Sequence, residues 1–190
     1  MTSKKPKKHR SHEPPAAHSA AASPDTRLQA FQNAFEQGTR LLHAGQPGAA
    51  RPLLEQAHAL APTHVDAAIN LGGAYILLKQ WRKAVAVLEL LSAQAPDHAM
   101  VWTNLGAAYL GNPVLAQDAD QQRALAAFKR ALEINPAAPN VAYNIGLIYR
   151  DRNDLDAATH WFRQAIRHNP GDQDAHNLLR RLEDRKQKGV

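Results

Sequence analysis

The chain has 190 residues, with 23 Lys and Arg against 17 Asp and Glu, and a formal net charge of +6. It contains no cysteine, which excludes a disulfide framework and any thiolate-bound metal. No stretch approaches the ~18 consecutive apolar residues of a membrane-spanning helix, so the expected location is the cytoplasm.

The charge excess sits at the two ends. In residues 1–26, Lys4, Lys5, Lys7, Lys8 and Arg10 outweigh Glu13 and Asp25. In residues 180–190, Arg180, Arg181, Arg185, Lys186 and Lys188 outweigh Glu183 and Asp184, and the residues between the ends are balanced. The first 26 residues are rich in Lys, Pro, Ser, Ala and His and hold no large aliphatic residue beyond Met1. Such a composition buries too little apolar surface to offset the entropy of ordering, so a disordered basic tail is expected. It reads either as a contact for nucleic acid or an anionic surface, or as a solubilising tail. Its basic start is not followed by the apolar core of an export signal. His9, His12 and His18 lack the spacing of a closed metal site.

From about residue 31, apolar residues recur at the three-to-four spacing of a helix face, and four stretches share one set of landmarks. Gly38, Gly72, Gly106 and Gly146 sit in a first helix, followed three residues later by Leu41, Tyr75, Tyr109 and Tyr149. Ala50, Ala84, Ala124 and Ala158 open a second helix, followed four residues later by Leu54, Leu88, Phe128 and Phe162. Pro62, Pro96, Pro136 and Pro170 close the units, with spacings of 34, 40 and 34 residues. Helices this short are marginal alone, so each unit needs its neighbours. The expected units are 31–64, 65–98, 99–138 and 139–172. Small Gly and Ala should let paired helices approach closely, with Tyr or Phe filling the space between one pair and the next. The third unit carries six extra residues within 111–122. There Asn112-Pro113 marks a turn, and Asp118 with Gln121 reads as a capping box for the next helix. That loop is either a partner contact or a tolerated insertion. Residues 172–186 read as one more helix, with Ala175, Leu178, Leu179 and Leu182 on one side and charge on the other. The fold class is therefore all-α.

These landmarks resemble the tetratricopeptide repeat family: Trp102, Leu105, Gly106, Tyr109, Ala124, Phe128 and Pro136 match its full pattern, and the other units match most of it. The resemblance implies a right-handed superhelical solenoid of four helix–turn–helix repeats plus a C-terminal capping helix over 27–186. It also implies a concave groove lined by the first helices, and a role as a protein–protein interaction adaptor or scaffold. By that alignment the groove holds Phe35, Ile69, Asn70, Gly73, Ile76, Met100, Asn104, Ala107, Tyr143, Asn144, Leu147 and Arg150. Asn70, Asn104 and Asn144 recur two residues before each glycine. An amide offers donor and acceptor together, so this row could hold an extended peptide backbone or bond neighbouring helices. Arg150 is the groove's lone base, which disfavours a clamp for acidic C-termini. The expected partner is then an apolar or neutral peptide or helix, with self-association a further class. Nucleic-acid or anionic-surface association through the basic ends is the alternative. No enzyme, cofactor or metal is expected: the chain lacks a Gly-x-Ser-x-Gly elbow and a phosphate-cradling loop, and its histidines are scattered.

Overall fold

The computed structural model describes residues 23–112 and 116–188; the expected tail residues Lys4, Lys5, Lys7, Lys8 and Arg10, and part of the 111–122 loop, lie outside the described residues. Among the described residues the chain forms nine helices and no strand. They are α1 Pro24–His43, α2 Pro47–Leu60, α3 Val65–Leu77, α4 Trp81–Gln94 and α5 Ala99–Leu110, then α6 Asp118–Ile134, α7 Val141–Asp151, α8 Leu155–His168 and α9 Gln173–Lys188.

Helix α1 starts earlier than composition suggested. Ser23 accepts a hydrogen bond from the Thr26 backbone N–H at 3.2 Å, and Pro24 occupies the first turn, where its missing N–H costs nothing. Arg27 then donates to the Leu60 carbonyl at the end of α2 through Nε (3.2 Å) and Nη2 (2.9 Å). Within the pairs, the turn needs a left-handed residue, supplied by Gly45 (φ 70), Lys79 (φ 57) and Asn153 (φ 59). The equivalent place in the third unit is a proline, whose ring confines φ near −65°. There the chain turns two residues earlier, at Gly111 (φ 57).

The glycine landmarks mark close approach inside each pair. A Cβ added to Gly106 would lie 2.5 Å from the ring of Phe128, and one on Gly146 would lie 2.8 Å from Phe162. Leu54 and Leu88 occupy the same place against Gly38 and Gly72. The Phe residues therefore fill their own pair rather than the space between pairs, which corrects the sequence expectation. Tyrosine does cross between pairs. Tyr75 donates its O–H to Glu55 of α2 at 2.8 Å, and Tyr109 donates to Glu89 of α4 at 2.8 Å.

The next seam breaks this pattern. The position matching Glu55 and Glu89 is Lys129, so Tyr149 meets no equivalent carboxylate. Arg152, at the end of α7, holds the seam instead: its Nε donates to Gln121 at 2.7 Å and its Nη2 to Asp118 at 2.9 Å. The expected capping box is thus corrected. Gln117 caps α6 without a side-chain bond, and Asp118 and Gln121 point their oxygens at Arg152. Helix α7 also begins late, five residues after Pro136 rather than three after Pro62, Pro96 or Pro170. Pro139 and a left-handed Asn140 (φ 62) take the place of its first turn. As a result α6 and α7 share far less contact than α2 with α3 or α4 with α5.

Helices α1 and α3, and α3 and α5, also touch each other, whereas the second helices make no comparable contact among themselves. The first helices accordingly line the inside of the curve. Helix α9 covers the last apolar face with Ala175 and Leu182, and Arg163–Glu183 (2.8 Å) and Lys186–Asp156 pin it to α8.

Candidate functional site

The inner face is built from one side of α1, α3, α5 and α7, whose other sides are in the core. At its first end, Phe35 stacks on Phe31 with ring centroids 5.7 Å apart and lies 5.1 Å from His64. His64 also caps α3, its Nδ1 accepting the Ala67 N–H at 3.2 Å. Ile69 is only 8% exposed, so it belongs to the core and not to an open groove. Gly73, Ile76 and Ala107 are half-buried, with Ile76 and Ala107 packed on the core clusters.

The asparagine row divides. Asn70 donates to Thr39 Oγ1 on α1 at 2.9 Å, and Asn104 donates to the Ile69 carbonyl on α3 at 3.4 Å. Both tie one first helix to the one before it. Thr39 has a groove position by the same alignment, but sequence spacing did not pair it with Asn70. Asn104 needs a backbone acceptor because Gly73 stands where Thr39 stood; a Cβ there would lie 3.9 Å from the Asn104 amide nitrogen. Among the described residues Asn144 makes no such bond to α5, consistent with the weak stacking of α7 in this part of the curve.

The most open apolar residues of this face stand at helix ends. Met100 is 38% exposed at the start of α5, and Leu77 is 59% exposed at the end of α3. Tyr143 sets its ring edge on Phe162 at 5.8 Å, and Leu147 packs beside Phe162 and Leu182 while keeping part of its surface open. Arg150 is engaged by Asp151 through Nε (2.8 Å) and Nη2 (2.6 Å). Burial pushes the Tyr143 phenol above its ordinary value, and Asp174 and Asp172 push it further while Arg150 opposes them.

Among the cavities that flank the late start of α7, two are of larger volume. One of about 360 Å³ lies between Met100, Thr103, Asn135 and Pro139. Another of about 590 Å³ lies between α7 and α9, where Asn140, Asn144, Asn169, Gln173, Asp172 and Asp174 meet. Sequence reasoning missed both; the signal was Pro139 at the place where the other units begin their first helix. Among the described residues no group of His, Asp or Glu is placed to hold a metal ion, and no helix is long and apolar enough to cross a membrane.

The tetratricopeptide repeat family model matches residues 41–108 and 115–182. The chain belongs to the tetratricopeptide repeat family. The photosystem I assembly protein Ycf3 of Synechococcus sp. (strain CC9605) is 32% identical over 72 residues, which cover 30% of this chain and 42% of that protein. The chain thus spans less than half the length of that curated relative. Among solved structures, MamA from residue 41 to its end, of Desulfovibrio magneticus RS-1, superposes with a TM-score of 0.66 at 21% identity, covering 83% of this chain and 86% of that one. The thermophilic tetratricopeptide protein TTC0263 of Thermus thermophilus gives a TM-score of 0.58 at 21% identity, covering 80% of this chain and 98% of that one. These likenesses establish the tetratricopeptide solenoid as the fold. Proteins of the family are protein–protein interaction scaffolds.

Proposed function

We propose that this tetratricopeptide chain is an adaptor or scaffold that grips a peptide or helix of another protein on its concave face, toward the α5–α7 side. The observation that carries the reading is the pattern of exposure. Met100 and Leu77 stand open, and Tyr143, Asn144 and Leu147 keep part of their surface free, on helices whose opposite sides are fully buried. Exposed apolar surface beside a free amide suits a segment that brings both apolar side chains and backbone hydrogen-bonding groups. Arg150, the lone base of the groove, is already held by Asp151. This supports an apolar or neutral segment over an acidic C-terminus. The Synechococcus relative is a photosystem I assembly protein, and an assembly role agrees with a scaffold.

The test is capture from lysate by the full chain and by a Met100→Glu, Asn144→Ala double variant whose helical circular dichroism is unchanged. Proteins held by the wild type at high salt and lost by the variant support the groove. Equal capture by both overturns it. The alternative reading, through Lys4, Lys5, Lys7, Lys8 and Arg10, rests on the confinement of positive charge to the ends. Phosphate contacts release counterions, so retention of that kind would fall steeply as salt rises.

A further inference from the structure

We propose that the concave face takes an amphipathic helix of a partner protein, its apolar stripe flanked by Lys or Arg, and that Gly73 lets this helix approach closely. The inference rests on the groove reading and names the form and charge of the occupant.

Gly73 is a glycine that the fold does not need. The first helices contain Gly38, Gly72, Gly73, Gly106 and Gly146. A Cβ on any of the others would come within 2.9 Å of Leu54, Leu88, Phe128 or Phe162 on the paired helix. At Gly73 the nearest atom to such a Cβ is the Asn104 amide nitrogen, at an ordinary 3.9 Å. Its φ is not in the left-handed region either. Glycine in a helix interior is disfavoured relative to alanine, so this place loses helix stability with no gain in packing. The same place in the other repeats holds Thr39, Ala107 and Leu147, so the fold accepts side chains there. Asp66, Asn70, Gly73 and Leu77 recur at helical spacing, which sets Gly73 on the inner stripe of α3. What glycine alone supplies at that spot is bare backbone, which another main chain can approach.

Hydrogen bonding decides the form of the occupant. Asn70 and Asn104 donate sideways, to Thr39 and to the Ile69 carbonyl, and Thr103 gives its hydroxyl to the Ala99 carbonyl at 3.0 Å. Gly73, Ile76, Leu77, Met100, Ala107 and Leu147 have no polar side-chain atom to offer. An extended segment would turn backbone N–H and C=O groups toward this carbon wall and leave them without partners. A helix satisfies those groups within itself and presents only side chains. The unspent amide of Asn144 suits one end of such a helix, where the last turn leaves backbone groups unpaired.

Charge decides what flanks the apolar stripe. Glu36 and Asp66 stand exposed on the inner stripes of α1 and α3, in no ion pair among the described residues. Asp174 and Asp172 lie close enough to Tyr143 on α7 to raise its phenol. The inner stripes of α1, α3 and α5 carry no Lys or Arg, and Arg150 is neutralised by Asp151. The complement is a helix with basic flanks.

The probe is a labelled peptide of Leu and Lys, about 14 residues or four turns long, with Leu at i, i+3, i+4 and i+7. One companion has the same composition in strict alternation, the period of a strand, and another keeps the helical pattern with Glu in place of Lys. Each is titrated with the full chain and read by fluorescence anisotropy. The helical Leu–Lys peptide should bind about tenfold or more tighter than either companion. Gly73→Leu should lose that advantage, and Gly48→Leu, on exposed open surface of α2, should keep it. In urea Gly73→Ala should unfold at or above the wild-type midpoint, while Gly72→Ala unfolds below it. Equal binding of the alternating or Glu peptide, unchanged binding by Gly73→Leu, or no binding at all overturns the proposal. So does a lowered midpoint in Gly73→Ala, which would mean that the fold itself requires the glycine. A wild-type dimer in sedimentation that Gly73→Leu dissolves would assign the face to a second copy, and also overturns it. If the peptides fail while the Met100→Glu, Asn144→Ala variant still loses lysate proteins, the groove stands and its helical occupant falls.

Discussion

The α4–α5 and α6–α7 seams join equivalent helices of successive repeats, yet they are held differently. In the first, Tyr109 donates to Glu89, Arg123 binds the same carboxylate at 2.8 Å, and its guanidinium lies 3.9 Å over the Tyr109 ring. Asn104 adds a bond from α5 back to α3. In the second, Lys129 replaces the glutamate, Asn144 bonds to no earlier helix among the described residues, and Pro139 with Asn140 removes the first turn of α7. Arg152 bridges this seam, to Asp118 and Gln121. The comparison teaches that a repeat's landmarks protect the packing inside a pair, where Phe128 and Phe162 sit on glycine. They leave the joint between pairs free to vary. Function can then be placed at a loose joint without loss of the core.

Removing Arg152 should strike hardest, because the α6–α7 seam has few other ties. Gln121 is 8% exposed, and its oxygen would lose its donor. A buried acceptor left unpaired costs about 1–3 kcal/mol. Arg152→Ala should therefore lower the urea midpoint, and hydrogen exchange should show α7–α9 opening before α1–α5. Uniform exchange along the chain would mean that the two seams are equally strong.

The tyrosines give a smaller contrast. Tyr109→Phe should cost about 0.5–1.5 kcal/mol for one lost hydrogen bond, while Tyr149→Phe should leave stability within about 0.5 kcal/mol. Alkaline titration tests the same idea at the α2–α3 seam. Burial, then the Glu55 hydrogen bond and charge, push the Tyr75 phenol from 10.0 up to about 12. The folded chain then holds a proton that the unfolded chain has lost between those values. Its stabilisation is complete below pH 10 and disappears as pH rises toward 12. Unfolding by urea at stepped pH should show that fall in the wild type and a shallower one in Tyr75→Phe.

The helix pairs were legible because their period and breakers are local: glycine, alanine and proline each fix a place on one helix. The inner face was legible only as a list of positions. Ile69 and Met100 are both apolar groove candidates, yet one is core and the other open, since exposure depends on how far the next first helix stands off. The Arg152 tie was illegible because its partners lie 31 and 34 residues away, and Asp118 and Gln121 already satisfied a local capping pattern. Local patterns that fit two roles are decided by the neighbour, which the linear sequence does not show.

The asparagine row supplies an effect no larger than the tyrosine contrast, and a more discriminating one. Asn70 and Asn144 have the same place in their repeats, and sequence offers no reason to separate them. In the structure Asn70 bonds to Thr39, so Asn70→Ala should cost about 0.5–1.5 kcal/mol, the usual net value of one hydrogen bond. Asn144→Ala should fall within about 0.5 kcal/mol of wild type, as for a side chain with no structural bond to lose. Thermal unfolding of the two variants side by side measures the difference. Equal costs would show that α7 stacks on α5 as firmly as α3 on α1, and the free amide in the groove would be gone. A cost at Asn70 alone would leave Asn144 as a side chain whose hydrogen-bonding capacity is unused by the fold and available to a bound segment.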